Sequence, residues 1–167
     1  MKDRWRGWGA SLALVIALTC GVIAASLVSA RGQTAVVVSD DVGGVLARLS
    51  LGNDDAFSLR YRNSLYGTSA AERFVMVGDS RFGLEELVAD QVAVLEEYYA
   101  VSERPVRDAA GSWRAPPAYV LELDRLTVAA TDLGQRTLLV QGQPPLALWR
   151  LVDDAAPMVH ITVEQAP

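Results

Sequence analysis

The fold is decided by residues 57–62, whose sequence FSLRYR alternates strictly between apolar and polar side chains. Successive side chains of an extended chain point to opposite faces, so Phe57, Leu59 and Tyr61 share one face. Ser58 and the two arginines share the other face. The segment therefore predicts a β-strand with one face in a core and the other in water.

The same two-residue period continues through the chain after Thr34, together with many β-branched residues. Turn-forming residues such as Gly43-Gly44, Gly78-Asp79 and Gly134 separate the periodic segments. This spacing predicts an all-β fold, either a sandwich or an open barrel of about eight or nine short strands. Besides residues 57–62, we expect strands at residues 73–77, 119–128, 137–140 and 159–163.

Two segments interrupt this pattern. Residues 82–100 contain Glu85-Glu86 and Glu96-Glu97 among apolar residues, which suits an amphipathic helix. Their valines and leucines also suit strands, and we favour a strand. Residues 102–117 are proline-rich and polar, which predicts a long loop.

The first thirty residues have the character of a targeting segment. No charged residue occurs from Trp8 to Ala30, and a helix of that length spans roughly 34 Å, enough to cross a hydrocarbon core of about 30 Å. The basic residues before this run predict that the N-terminus stays inside. We therefore divide the chain into residues 1–30, a signal anchor or signal peptide, and residues 31–167, an extracytoplasmic β domain.

Three fates are open to this targeting segment. A retained anchor would make the chain a single-pass protein of the cytoplasmic membrane, held through residues 8–30. The small residues at Val28-Ser29-Ala30 suit a signal peptidase, and cleavage near Ala30 would release a secreted domain. Lipidation at Cys20 is a third alternative, disfavoured because the apolar run continues well past it. All three place the β domain outside the membrane.

The charge balance excludes several kinds of partner. The chain has 15 basic and 20 acidic residues, and without Lys2, Arg4, Arg6 and Asp3 there remain 12 and 19, a net charge of −7. An acidic domain repels nucleic acid, which we exclude as a partner. The one cysteine lies in the apolar segment, so the domain has no disulfide, and a single histidine cannot supply the usual zinc ligands. We expect no metal and no cofactor.

A polar cluster that begins in the opening strand is the candidate ligand site. Guanidinium groups bind carboxylates through paired hydrogen bonds, so the cluster is suited to a small organic acid. The alternative is a solvated strand face on which the glutamate of the cluster offsets an arginine across a hairpin. The candidate ligand-binding residues are Arg60, Arg62, Asn63, Ser64 and Glu72.

No catalytic set is evident in the sequence. His160 is the one histidine, and on a strand it should point away from its neighbours Val159 and Ile161. Ser64 lacks the Gly-x-Ser-x-Gly context of a nucleophile elbow. Adjacent carboxylates such as Glu85-Glu86 point to opposite faces of a regular strand and do not form a shared site. We predict that the protein is not an enzyme, with a hydrolase that uses His160 as an alternative.

The residues around the polar cluster resemble a known family. The segment Tyr61-Arg62-Asn63-Ser64-Leu65, followed by Glu72-Arg73-Phe74, is similar to the Tyr-x-His-Ser-Val block and the later Glu-aromatic pattern of the domain-of-unknown-function eighteen-fifty family. Residues 138–142 and the closing strand at 159–163 resemble the end of that family. Asn63 stands where the family has its histidine, so a ligand role of that histidine does not carry over.

The resemblance implies a small exported protein, of a kind often encoded beside TRAP-type transporters that use TAXI-type solute-binding proteins. We therefore expect a membrane-anchored or secreted accessory or binding protein, with a solute-binding protein or a transporter subunit as its partner. The residues themselves leave two alternatives, a small organic-acid-binding β domain and a hydrolase that uses His160.

Overall fold

The computed structural model of the chain describes residues 34–165, which form a mostly β domain. The prediction of an all-β fold is therefore confirmed. Within this range, no helix combines the length and the apolar character that a membrane crossing requires. The predicted targeting segment, residues 1–30, lies outside the described residues.

The described residues contain twelve strands where eight or nine were expected, and three of these strands have only two residues. Helix α1 (Val92–Tyr98) follows the fifth strand, and a 3₁₀ helix (Leu148–Arg150) follows the eleventh. The strands are β1 (Thr34–Asp40), β2 (Val45–Ser50), β3 (Ala56–Arg62), β4 (Ser69–Met76), β5 (Phe82–Ala89), β6 (Val106–Arg107), β7 (Trp113–Ala115), β8 (Glu122–Leu123), β9 (Arg125–Ala129), β10 (Thr137–Val140), β11 (Leu146–Ala147) and β12 (Met158–Gln165).

The strands form two antiparallel sheets. The smaller sheet has the order β2-β1-β12-β9. The larger sheet has the order β11-β10-β3-β4-β5-β7-β6, and β8 also pairs with β5. Because β3 pairs with β10 on one side and with β4 on the other, the segment that decides the fold lies in the interior of the larger sheet.

The main core contains buried side chains from both sheets. It includes all three phenylalanines of the chain, Phe57, Phe74 and Phe82, whose ring centroids lie between 5.1 and 5.6 Å apart. Phe57 and Leu59 are buried, whereas Arg60 and Arg62 on the same strand are exposed. The predicted alternation of β3 is therefore confirmed.

A second, smaller core lies under helix α1. Val94 and Leu95 of the helix are fully buried and pack with Leu87 and Ala89 of β5. Two neighbouring residues of a regular strand would face opposite sides, whereas one helical face can bury both. The strand interpretation of residues 82–100 is therefore right for β5 and wrong for α1.

Residues 102–117 are not a loop throughout, because β6 and β7 form a hairpin within them. Asp108 holds the hairpin turn by accepting hydrogen bonds from the backbone N–H of Ser112 (2.9 Å) and from Nε of Arg114 (2.7 Å). The Arg114 guanidinium lowers the pKa of the Asp108 carboxyl. The long-loop prediction was wrong because these polar residues are used to form a local structure.

A β-bulge interrupts β5 at Glu85. Arg73 of β4 lies opposite Glu86, and the next residue of β4 lies opposite Leu84, so Glu85 is one extra residue. Glu85 pairs with Arg73 (3.0 Å) and Glu86 pairs with Arg114 (2.6 Å), in one shared surface cleft. The expectation that adjacent carboxylates face opposite sides is wrong at this position, because the bulge turns both to the outer face.

Candidate functional site

A cleft of about 560 Å³ lies on the outer face of the larger sheet. We call it the arginine cleft, because Arg60, Arg62 and Arg150 line it. Hydroxyl groups from the start of β4 and of β10 add further polar lining, and Trp149 contributes one aromatic wall. The cleft therefore gathers two of the predicted ligand-binding residues, Arg60 and Arg62, with side chains from a distant part of the chain.

The three guanidinium groups of the arginine cleft differ from four of the eight other arginines among the described residues. Within residues 34–165, no carboxylate forms an ion pair with them, and no Asp or Glu lines the cleft. Elsewhere on the surface each of four arginines pairs with at least one carboxylate, and these are Arg48, Arg73, Arg81 and Arg114. An acidic domain thus keeps three positive charges in one cleft without a carboxylate partner among its described residues.

The cleft is built by strand pairing and by the 3₁₀ helix. Arg60 lies opposite Thr137 of β10, and the backbone N–H of Arg62 donates to the carbonyl of Gly134 (2.7 Å). Leu148 is fully buried, and its N–H donates to the carbonyl of Arg136 (2.9 Å), which anchors the 3₁₀ helix beside the sheet. The Arg150 guanidinium stacks on the Trp149 ring at 4.6 Å from its centroid.

A second cleft, of about 390 Å³, adjoins the first one. We call it the tyrosine cleft, because Tyr61, Tyr98 and Tyr99 line it together with Arg62 and Arg136. Tyr61 and Arg62 line both clefts. The predicted residues Asn63 and Ser64 line the tyrosine cleft and not the arginine cleft, so the predicted cluster is divided between two neighbouring clefts.

Glu72 lines neither cleft and is used inside the domain. Its Oε1 accepts a hydrogen bond from the Tyr99 hydroxyl (2.7 Å), and the Tyr99 and Tyr61 hydroxyls lie 2.6 Å apart. Burial raises the pKa of the Tyr99 phenol far above its ordinary value, and the Glu72 carboxylate raises it further. The expected ion pair between Glu72 and an arginine is not formed among the described residues. The glutamate instead holds the tyrosines in place.

The raised pKa of Tyr99 predicts a loss of stability in alkali. Above the ordinary tyrosine pKa of about 10, the unfolded chain releases this proton while the folded chain keeps it. Stability from this group is therefore complete below pH 10 and falls above it, by at most about 1.4 kcal/mol per pH unit. Urea unfolding at pH 8 and at pH 11 should show a smaller alkaline loss for Tyr99→Phe than for wild type. The exposed Tyr119→Phe is the control, and an equal loss in all three proteins would contradict the prediction.

Asn63 shapes the loop between β3 and β4. Its Oδ1 accepts hydrogen bonds from the backbone N–H groups of Leu65 (3.1 Å) and Tyr66 (3.0 Å), and the residue is 5% exposed. The loop closes where Gly67 takes a φ of +68°, a conformation that glycine adopts without steric cost. The Oδ1 of Asn63 is therefore already used by the loop.

His160 lies on the outer face of the smaller sheet. Its Nδ1 is 2.8 Å from the Thr127 hydroxyl, and its Nε2 is 3.2 Å from Oδ1 of Asp41. Ser64 lies in the loop after β3 of the larger sheet and lines the tyrosine cleft, whereas His160 lines neither cleft. The structure therefore does not gather the His160, carboxylate and Ser64 set that the hydrolase alternative requires. Among the described residues, no group of His, Cys, Asp and Glu is arranged to hold a metal ion.

The cleft residues that sequence reasoning missed include Tyr98, Arg136, Trp149 and Arg150. Their proximity to β3 arises from the pairing of β3 with β10 and from the position of α1, and neither has a local signal. The nearest signal in the sequence for the Trp149-Arg150 pair was Pro144-Pro145 shortly before it. A double proline restricts the backbone, so it could have marked the approach to a short structured element.

Comparison of the chain with protein-family models, with curated proteins and with solved structures gave no match.

Proposed function

We propose that this protein is a non-enzymatic binding module that holds a small organic anion in the arginine cleft. The observation that carries the proposal is the set of three guanidinium groups that have no carboxylate partner within residues 34–165, in a chain that is acidic as a whole. Like charges brought together repel one another, and an anion relieves that repulsion. The cleft volume of about 560 Å³ lies in the range of small-molecule sites.

The chemistry of the lining favours a carboxylate with more than one acidic group. Each guanidinium offers a planar fork of donors that matches a carboxylate. Ser69 and Thr137 add hydroxyl groups to the lining, and the Thr137 hydroxyl donates to the carbonyl of Gln135 (3.1 Å), which leaves its oxygen as an acceptor. A neutral sugar or a cation would find no acidic side chain in this lining, whereas a di- or tricarboxylate would find three cations.

The location of His160 supports the absence of catalysis in this proposal. The one histidine of the chain is engaged with Thr127 and Asp41 on the smaller sheet, and it lines neither cleft. Arginines without a neighbouring base bind and orient an anion, but they do not remove a proton at neutral pH.

The proposal extends to the cellular context of the domain. Residues 1–30 hold the protein at the cytoplasmic membrane or export it across the membrane, so that the cleft faces the outside. The uncharged run at residues 8–30 and its basic flank support this location. The resemblance of residues 61–65 and 72–74 to the family named above supports a role beside a TRAP-type transporter. A solute-binding protein or a transporter subunit is then the partner.

A thermal-shift experiment on the full chain in detergent tests the anion site. Succinate and citrate, each added at constant ionic strength, should raise the unfolding temperature, since a ligand at 100 times its Kd adds about 2.7 kcal/mol. Arg60→Ala, Arg62→Ala and Arg150→Ala should each weaken binding by roughly 10- to 100-fold, because each removes a charge-assisted contact.

Arg125→Ala is the matched control for this experiment. It removes the same charge from an exposed position on β9, away from both clefts. If Arg125→Ala lost the thermal shift to the same extent as the three cleft variants, net charge and not the cleft would determine binding. The absence of a shift in wild type with either acid would also refute the proposal.

A further inference from the structure

We propose that the tyrosine cleft is the second half of the same binding site and receives an aromatic ring, so that the preferred ligand is an aromatic carboxylate. This inference rests on the proposed function, because it assumes that Arg62 binds the acid group. It goes further in naming the chemical class of the ligand and the residues that select it.

The first support is the position of Arg62 between the clefts. Arg62 lines the arginine cleft with Arg60 and Arg150, and it also lines the tyrosine cleft with Tyr98 and Arg136. A carboxylate bound to Arg62 therefore lies at the border of both clefts. The remainder of such a ligand has the tyrosine cleft directly beside it.

The second support is the apolar character of the walls. Three tyrosines line the tyrosine cleft, and no Asp or Glu of the part of the chain that the structure describes does so. Tyr98 is 53% exposed and Leu133 is 60% exposed at this place, so large apolar groups are left in water. A planar ring that covers them removes apolar surface from water and gains the offset or edge-to-face contacts that aromatic rings prefer.

The third support is that the second cation of the tyrosine cleft is already occupied. The Arg136 guanidinium lies 5.1 Å from the centroid of the Tyr61 ring, and its Nε donates to the carbonyl of Ala129 (3.0 Å). Arg136 thus holds a wall of the cleft, which leaves Arg62 to bind the acid. An acid group held in the arginine cleft beside an apolar pocket is the pattern of an aryl carboxylate.

The fourth support is the rigidity of two of the three rings. Tyr61 and Tyr99 are held by the hydrogen bonds that end on Glu72, with Tyr61 to Tyr99 at 2.6 Å and Tyr99 to Glu72 at 2.7 Å. Walls that are ordered before binding lose little conformational entropy when a ligand arrives. The exposed Tyr98 is the part of the wall that a variant can remove without disturbing this chain of hydrogen bonds.

The test compares benzoate with cyclohexanecarboxylate by isothermal titration of the full chain in detergent at constant ionic strength. The two acids share a carboxylate and a six-membered ring, but one has an aromatic face and the other has none. Benzoate should bind about three- to tenfold more tightly, which corresponds to the usual gain of an aromatic contact. Tyr98→Ala should abolish this preference, and Tyr119→Ala, which removes an exposed tyrosine outside both clefts, should preserve it.

Two results would overturn the inference. One is equal affinity of wild type for the two acids. The other is loss of the preference in Trp149→Ala but not in Tyr98→Ala, which would place the ring in the arginine cleft. Succinate separates this inference from the proposed function, because the inference fails alone if succinate binds and benzoate shows no preference. Both fail if none of the three acids binds.

Discussion

Replacement of Phe57 by alanine should lower the free energy of unfolding by about 3–5 kcal/mol, the usual cost of removing a buried phenylalanine. Phe57 is 2% exposed, and its ring contacts the rings of Phe74 at 5.2 Å and Phe82 at 5.1 Å. The variant loses the apolar burial and both ring contacts, and it leaves a cavity in the main core. A domain whose total stability lies in the common range of about 5–15 kcal/mol would lose a large part of it.

Urea unfolding of the full chain in detergent measures this effect. The matched control is Leu65→Ala, which removes apolar atoms from a side chain that is 66% exposed and should change stability by less than about 0.5 kcal/mol. A Phe57→Ala protein with an unfolding midpoint near that of wild type would show that the phenylalanine cluster does not hold the sheets together.

Replacement of Asn63 by alanine should cost about 1–3 kcal/mol, because two backbone N–H groups of a part-buried turn lose the acceptor that the side chain provides. These donors belong to Leu65 and Tyr66, and Asn63 itself is 5% exposed. Asn53→Ala provides the control, since Asn53 is an exposed residue in the turn between β2 and β3. Equal stability of the two variants, measured in the same urea experiment, would contradict a structural role for the Asn63 side chain.

The parts of the fold that follow from local patterns were predictable. The alternation of residues 57–62 has one physical reading, and β3 has the predicted buried and exposed faces. Helix α1 was not predictable in the same way, because a segment of seven residues with two valines and a leucine suits either a helix or a strand. The neighbouring strands β5 and β7 determine the outcome, since Val94 and Leu95 together pack over Leu87.

The candidate site was predictable only where it lies within one strand and its following loop. Arg60 and Arg62 stand on the outer face of β3, as their spacing indicates. Arg150 joins them through the pairing of β3 with β10 and the turn after β11, which no local pattern encodes. Glu72 was misassigned because its carboxylate accepts a hydrogen bond from the hydroxyl of Tyr99, which directly follows α1, and does not pair with a neighbouring arginine.

The bulge at Glu85 has a consequence for the lengths that this strand can tolerate. Four side chains of β5 face inward, namely Phe82 and Leu84 before the bulge and Leu87 and Ala89 after it. In a strand without a bulge, the first two and the last two would face opposite sides, because Leu87 lies an odd number of positions after Leu84. A chain that lacked residue 85 would therefore keep all four inward on a straighter strand. A chain that lacked Val88 would instead turn Ala89 outward. Among homologous sequences, a gap of one residue in this strand belongs at the bulge.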